Sequence, residues 1–287
     1  MLRNGENMSL LEWLRILVIG IVEGVTEWLP VSSTGHMILL DAIWGSSEPE
    51  IMTPEFWELF EVVIQLGAIL AVVTIFWEKL WPFGKRSRRE QVQTIELWKK
   101  VIIGCIPAAV LGLLLDDWMD TYLYNAYVVA AMLIVYGIVF ILIESVHRGK
   151  VFTLEHIEGL TYKTAFLIGC VQVLSLIPGT SRSGVTIIGG ILLGCSRTVA
   201  AEFTFFLAIP VMFGASGLKL VKYLLEGVSL SGMQIAVTIV GMVVAYAVSM
   251  ISIQFLMDYV KRHSFKAFGW YRIALGIVVL LFFTLVR

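Results

Sequence analysis

Apolar runs of about twenty residues, separated by short polar and basic clusters, set the pattern of the chain. Six runs, roughly 57–77, 98–116, 125–146, 199–224, 234–257 and 269–286, are long enough to cross a bilayer as helices. Two further apolar regions do not read as single spans. Residues 10–44 are interrupted by Glu23, Glu27, Pro30, Ser32, Ser33, Thr34 and His36, and residues 163–195 by Pro178, Gly179, Thr180, Ser181, Arg182 and Ser183. Each is an apolar half, a polar break and a second apolar half. Irregular backbone at membrane depth is tolerated only where it is buried in protein or lines a cavity. The pattern therefore predicts an all-α membrane protein, a single domain over 1–287, with six transmembrane helices plus two re-entrant helix hairpins. Trp57 and Trp77 bracket the first span and Trp98 and Trp118 the second. Each pair is separated by about 30 Å of helix at ~1.5 Å per residue, the thickness of an interfacial aromatic belt. Trp13 and Trp28 fall outside that belt.

Composition narrows the class. Hydrophobic residues make up 58% of the 287 and charged residues 15%, with a mean hydropathy of +0.87. Soluble domains carry about 25% charge, so there is too little polar surface here to cover a water-facing globule. A soluble enzyme and a disordered chain are both excluded. The net charge of −1 gives no field for nucleic acid. Cys105, Cys170 and Cys195 are scattered through apolar stretches, with neither zinc spacing nor a disulfide framework. The N-terminal stretch, with Glu6 and Glu12, reads as retained rather than as a signal peptide.

Lys and Arg orient the spans. They gather in residues 78–100, 147–163 and 258–268, while 45–56, 117–124 and 225–233 hold none. With six spans and two hairpins that return to their own side, all three basic segments fall on one face, expected to be cytoplasmic. Both termini are then outside; the first hairpin dips in from outside and the second from the cytoplasm.

The two hairpins resemble each other. GIVEGVTEWLPVSSTGH (20–36) and GCVQVLSLIPGTSRSGV (169–185) align Gly20 with Gly169, Val22 with Val171, Ser32 with Ser181 and Gly35 with Gly184 at one constant offset. EVVIQLGAI from Glu61 and EFTFFLAIP from Glu202 are loosely alike. The halves, about 10–146 and 163–286, each hold one hairpin and three spans. Three is odd, so the repeat has inverted topology, an architecture that places its site between the halves near the midplane.

Glu23 and Glu27 share one helical face. A carboxylate inside a membrane costs at least about 2.5–3.5 kcal/mol, so the pair needs a proton, a basic partner or a divalent cation. In PVSSTGH (30–36), Pro30 ends one half-helix and another begins near Ser33. Free N–H groups at a helix start bind phosphate. Ser32, Ser33 and Thr34 add hydroxyls, Gly35 allows close backbone approach, and His36 can hold or move a proton. In PGTSRSG (178–184), Arg182 offers a planar fork suited to phosphate, beside Ser181 and Ser183; a structural pair with Glu23 or Glu27 is its other reading. Gln172 and Leu176 stand where Glu23 and Glu27 stand. One half thus brings acids, hydroxyls and an imidazole, the other a guanidinium. Two half-helix starts facing each other suit two adjacent phosphates.

EGVTEWLPVSSTGH (23–36) and PGTSRSG (178–184) resemble the two signature motifs of the bacterial undecaprenyl-pyrophosphate phosphatases of the bacitracin-resistance type. FEVVIQLGAILAVV (60–73) and SRTVAAEFTFFLAIPVMFGA (196–215) are also similar to that family. The resemblance implies a multi-pass hydrolase of the bacterial cytoplasmic (inner) membrane. It would remove the terminal phosphate of undecaprenyl pyrophosphate, a polyprenyl diphosphate lipid, with a divalent cation and a site open to the periplasm. Its functional residues fall on Glu23, Glu27, Ser32, Ser33, Thr34, His36, Ser181 and Arg182, with Gln65 and Glu202 in support. The mechanism expected is phosphoryl transfer by positioning and charge neutralisation. Glu23 and Glu27 hold Mg²⁺ or Ca²⁺; Arg182 and the tip N–H groups bind phosphate oxygens; Ser33, activated by His36, attacks. His36 or water as nucleophile stays open, as does a homodimer. A secondary transporter, or a flippase of the same diphosphate, has the same architecture and is separated from the enzyme by an assay for phosphate release.

Overall fold

A computed structural model describes residues 8–44, 52–147, 149, 152–225 and 230–286. Arg148, Lys150 and parts of the expected loops at 45–56 and 225–233 lie outside the described residues. The chain is all-helical apart from an isolated bridge between Leu154 and Cys195. In order, the helices are α1 (Leu10–Thr26), α2 (Ser33–Trp44), α3 (Pro54–Ile75), α4 (Trp77–Leu80), α5 (Arg88–Tyr122) and α6 (Ala126–Val146). They continue with α7 (Tyr162–Gln172), α8 (Arg182–Leu192), α9 (Arg197–Leu225), α10 (Gly232–Arg262) and α11 (Lys266–Leu285). Six of them, α3, α5, α6, α9, α10 and α11, are long and apolar enough to cross a membrane. They coincide with the six runs of the hydrophobic pattern. Three boundaries differ from it, one being the end of α5, which stays helical through Tyr122 and takes up most of the expected loop 117–124. The basic stretch before the second run folds as the short α4 and the first turns of α5, because Ser87 and Glu90 cap each other reciprocally at its start. Helix α10 likewise extends through Arg262, beyond the apolar run.

The remaining four helices form two helix–break–helix units. α1 and α2 are separated by 27–32; α7 is prolonged by a 3₁₀ turn, Val173–Leu176, before 177–181 lead into α8. Packing follows a mirrored scheme: α6 lies on α11 and α3 on α9; α10 packs against α3 and α1, as α5 packs against α9 and α7. Close approach in this scheme needs glycine. A Cβ on Gly137 would stand 2.7 Å from the carbonyl oxygen of Gly269, and one on Gly269 the same distance from that of Gly137, so α6 and α11 meet backbone to backbone. A Cβ on Gly169 would fall 2.1 Å from the Gly104 oxygen, which fixes α7 on α5 in the same way.

Behind the two breaks lies an aromatic core. Trp28 is fully buried and meets Phe205 edge-on at 5.4 Å, while Phe76 does the same to Phe206 at 5.2 Å. This explains why Trp28 stands outside the interfacial belt. Toward the end where the basic segments gather, Arg197 forks onto Glu144 at 2.8 and 2.5 Å, and the Phe265 N–H donates to the same carboxylate at 3.1 Å. That carboxylate thereby ties α6, α9 and the start of α11 together. The three cysteines are free.

Candidate active site

The first break begins at the end of α1, shortly before Pro30, and the second after the 3₁₀ turn Val173–Leu176, with Pro178 and Gly179 inside that break. Both restart in the same way. Ser32 (φ 74°) and Ser181 (φ 72°) are the only non-glycine residues of positive φ among the described residues. Such a backbone is strained for serine, by about 1–3 kcal/mol. Each immediately precedes a helix, α2 or α8, and each side chain accepts from the glycine N–H three residues on: Gly35 to Ser32 at 3.4 Å, Gly184 to Ser181 at 3.2 Å. The strained serine turns the chain, and its hydroxyl caps the new helix.

The breaks meet at a polar cavity of about 200 Å³. Thr26, Glu27, Ser32, Ser33 and Thr34 line it from the first unit, and Ser175, Pro178, Gly179, Ser181, Arg182 and Ser183 from the second; Gln65 of α3 and Val211, Met212 and Ala215 of α9 complete the wall. Glu27 and Arg182 join across it. Arg182 Nη2 donates to Glu27 Oε1 at 2.8 Å, its Nη1 to the Thr204 carbonyl at 3.1 Å, and its guanidinium lies 5.9 Å from the Trp28 ring centroid. The other Glu27 oxygen accepts the Ser33 hydroxyl at 3.1 Å. Ser183 Oγ stands 3.2 Å from Ser181 Oγ and donates to the Leu29 carbonyl at 3.5 Å.

Of the residues expected in the two motifs, Glu23, Gly35 and His36 lie off the cavity wall. Gly35 packs toward Leu133, where a Cβ would come within 2.9 Å. Glu23 is buried, and its Oε1 has no hydrogen-bond partner among the described residues, although the charges of Glu27, Glu61 and Arg182 act on it. His36 makes its hydrogen bonds elsewhere than to Ser33: its Nδ1 donates to the Ser32 carbonyl at 2.8 Å, and its Nε2 lies 2.7 Å from the Tyr271 hydroxyl. A carbonyl only accepts, so Nδ1 carries a proton, and the Tyr271 hydroxyl engages the ring at Nε2. The Tyr271 ring stacks on the imidazole at 5.7 Å.

The sequence model of the family described as bacitracin resistance protein BacA matches residues 16–278. The chain belongs to this family. Among its curated relatives, the undecaprenyl-diphosphatase of Desulfitobacterium hafniense is 56% identical over 279 residues, covering 96% of this chain and 98% of its own. Those of Streptococcus mutans and Enterococcus faecalis are 54% and 50% identical over 277 residues, each covering 96% of this chain and 97% or 98% of their own.

Within this BacA family member the site holds more than the motifs suggested. Gln65 lines the cavity, whereas Glu202 does not: it pairs with Lys79 at 2.5 Å. Tyr271 and Arg272 of α11 were not anticipated. Arg272 is fully buried, and its guanidinium bonds carbonyls of both breaks. A signal for it existed: an ionisable residue inside an apolar span marks a functional position by default. Tyr271 carries no comparable mark, because tyrosine is common near span ends.

Proposed function

We propose that this protein is an integral-membrane phosphatase that hydrolyses undecaprenyl diphosphate to undecaprenyl phosphate and inorganic phosphate. That reaction returns the lipid carrier to cell-wall synthesis, which accounts for the bacitracin resistance in the family's description. The observation that carries the mechanism is the position of Glu27, which accepts the Ser33 hydroxyl with one oxygen and Arg182 with the other. Ser33 Oγ attacks the terminal phosphorus and gives its proton to Glu27; the bond from that phosphorus to the bridging oxygen breaks, and lipid phosphate leaves. Water then attacks the seryl phosphate, and the proton on Glu27 returns to Ser33 as inorganic phosphate departs. Glu27 thus takes the part expected of His36, whose nitrogens are committed to Ser32 and Tyr271. Before substrate binds, the Glu27–Arg182 pair neutralises two buried charges. An arriving diphosphate competes for the guanidinium and leaves Glu27 free to take the proton. The helix starts at Ser33 and Arg182 each offer first-turn N–H groups to one phosphate, with Ser32, Thr34, Ser181 and Ser183 as hydroxyl donors.

Glu23, together with the Glu27 oxygen that Arg182 gives up when the diphosphate draws the guanidinium away, would be suited to hold a divalent cation, Mg²⁺ or Ca²⁺. The partnerless, buried Oε1 of Glu23 fits that role, and carboxylate oxygens are the right donors. Among the described residues no third His, Cys, Asp or Glu joins them. When bound, the cation supplies charge neutralisation to the diphosphate.

The two helix–break–helix units read as re-entrant hairpins, and the halves 10–146 and 163–286 as an inverted-topology repeat. Support comes from the matching positive φ of Ser32 and Ser181 and from the mirrored helix pairings. The basic segments then face the cytoplasm and the site faces outward in the cytoplasmic membrane, with the polyprenyl chain lying between spans. The test of the activity is phosphate release from undecaprenyl diphosphate by the purified protein in detergent. Sustained release is expected; its absence would leave the transporter or flippase reading.

A further inference from the structure

Arg272 lies within the apolar helix α11, yet it is fully buried and pairs with no carboxylate among the described residues. Backbone carbonyls hold it instead. Its Nη1 donates to the Pro30 oxygen at 3.3 Å; its Nη2 donates to the oxygens of Gly179 and Thr180, both at 2.9 Å, and to that of Met132 at 3.5 Å. The guanidinium sits 5.9 Å from the ring centroid of Tyr136 on α6. Pro30 and Gly179 occupy equivalent places in the two halves: each stands two residues before the strained serine that starts the next helix, Ser32 or Ser181. One rigid, planar group therefore bonds the corresponding carbonyl in each break.

We propose that Arg272 is a positioning residue that sets the spacing between the two phosphate-holding breaks, and thereby fits the site to a diphosphate rather than to a single phosphate. A guanidinium holds several donors in fixed relative directions, whereas an ammonium is a point donor on a flexible stem. With the fork gone, the Pro30 and Gly179 carbonyls separate or drift, and the helix starts just beyond them drift as well. Misplacement of about 1 Å costs on the order of a hundredfold when reacting groups must align. A ligand spanning both breaks feels the change; a ligand held by one does not. The proposal rests on the reading that each break takes one phosphate.

The test compares inorganic pyrophosphate with inorganic phosphate as competitive inhibitors of the purified full-length protein. Wild type, Arg272→Lys and Arg272→Gln are measured together with kcat, KM and thermal unfolding. Both variants are expected to weaken pyrophosphate about tenfold or more while phosphate changes less than about twofold, with KM for the lipid diphosphate raised as well as kcat lowered. Tyr136→Leu, which removes the ring under the guanidinium, should shift the same ratio in the same direction by less, and it decides the matter if the Arg272 variants do not fold. Equal weakening of both inhibitors, or a wild-type ratio in Arg272→Lys, overturns the spacer role alone. A wild-type protein that binds pyrophosphate no more tightly than phosphate overturns the two-break reading, and the spacer role with it.

Discussion

At the scale of the residue, the site depends on which partner each side chain finds. Glu27, not His36, receives the Ser33 hydroxyl, and Arg182 is held by that same carboxylate. Arg182→Lys keeps the charge but loses the fork, so kcat/KM for phosphate release should fall roughly tenfold or more; near-normal activity would make Arg182 structural. Glu23→Gln and Glu27→Gln address the cation. Each should raise the Mg²⁺ or Ca²⁺ concentration needed for activity, while Gln172→Ala, at the uncharged counterpart of Glu23, should leave that titration unchanged. Wild-type metal titrations in both glutamate variants would remove the carboxylates from the cation site. Residue types at this site were legible from the two motifs, because acids, hydroxyls and an arginine beside helix breaks have few other uses in a membrane. Their pairing was not legible. His36 follows Ser33 closely in sequence, but its ring turns to Tyr271 on a helix more than two hundred residues later. That direction depends on how α2 packs against α11, which no local pattern encodes.

At the scale of the element, the long helices were readable because each is a nearly unbroken apolar run, and the breaks because proline and hydroxyl residues interrupt such runs. What the pattern hid is how a break restarts. Ser32 and Ser181 adopt a positive φ that serine rarely takes, held by a cap to the glycine three residues on. This gives an ordering of stabilities. Ser181→Ala loses the cap, about 1 kcal/mol, and keeps the strain. Ser181→Gly loses the cap and relieves the strain, about 1–3 kcal/mol. Thermal unfolding in detergent should therefore rank the glycine variant above the alanine variant, although both lose a hydroxyl of the cavity wall. The reverse ranking would mean that the positive φ at this position is not strained. The charged start of α5 was also hidden, since its apolar run begins later and only the Ser87–Glu90 capping box announces the helix.

At the scale of the whole molecule, two unlike halves build one site. The first contributes Glu27 and Ser33, the second Arg182, and the mirrored packing of α3, α5, α9 and α10 brings the breaks face to face. The inverted arrangement proposed for the two halves has a consequence for topology. In a background lacking the three native cysteines, a single cysteine placed in 225–233 should react with a membrane-impermeant thiol reagent in intact spheroplasts. One placed beside Arg88 should not, and the opposite pattern would reverse the orientation. The central claim is that hydrolysis needs both halves at one centre. Its most direct measurement is phosphate release from undecaprenyl diphosphate by purified wild type, Ser33→Ala and Arg182→Lys, each confirmed folded. Wild type should turn over steadily, the loss of the Ser33 hydroxyl proposed as nucleophile should cost on the order of a hundredfold or more, and the second-half variant at least about tenfold. Undiminished release by either variant would contradict the account.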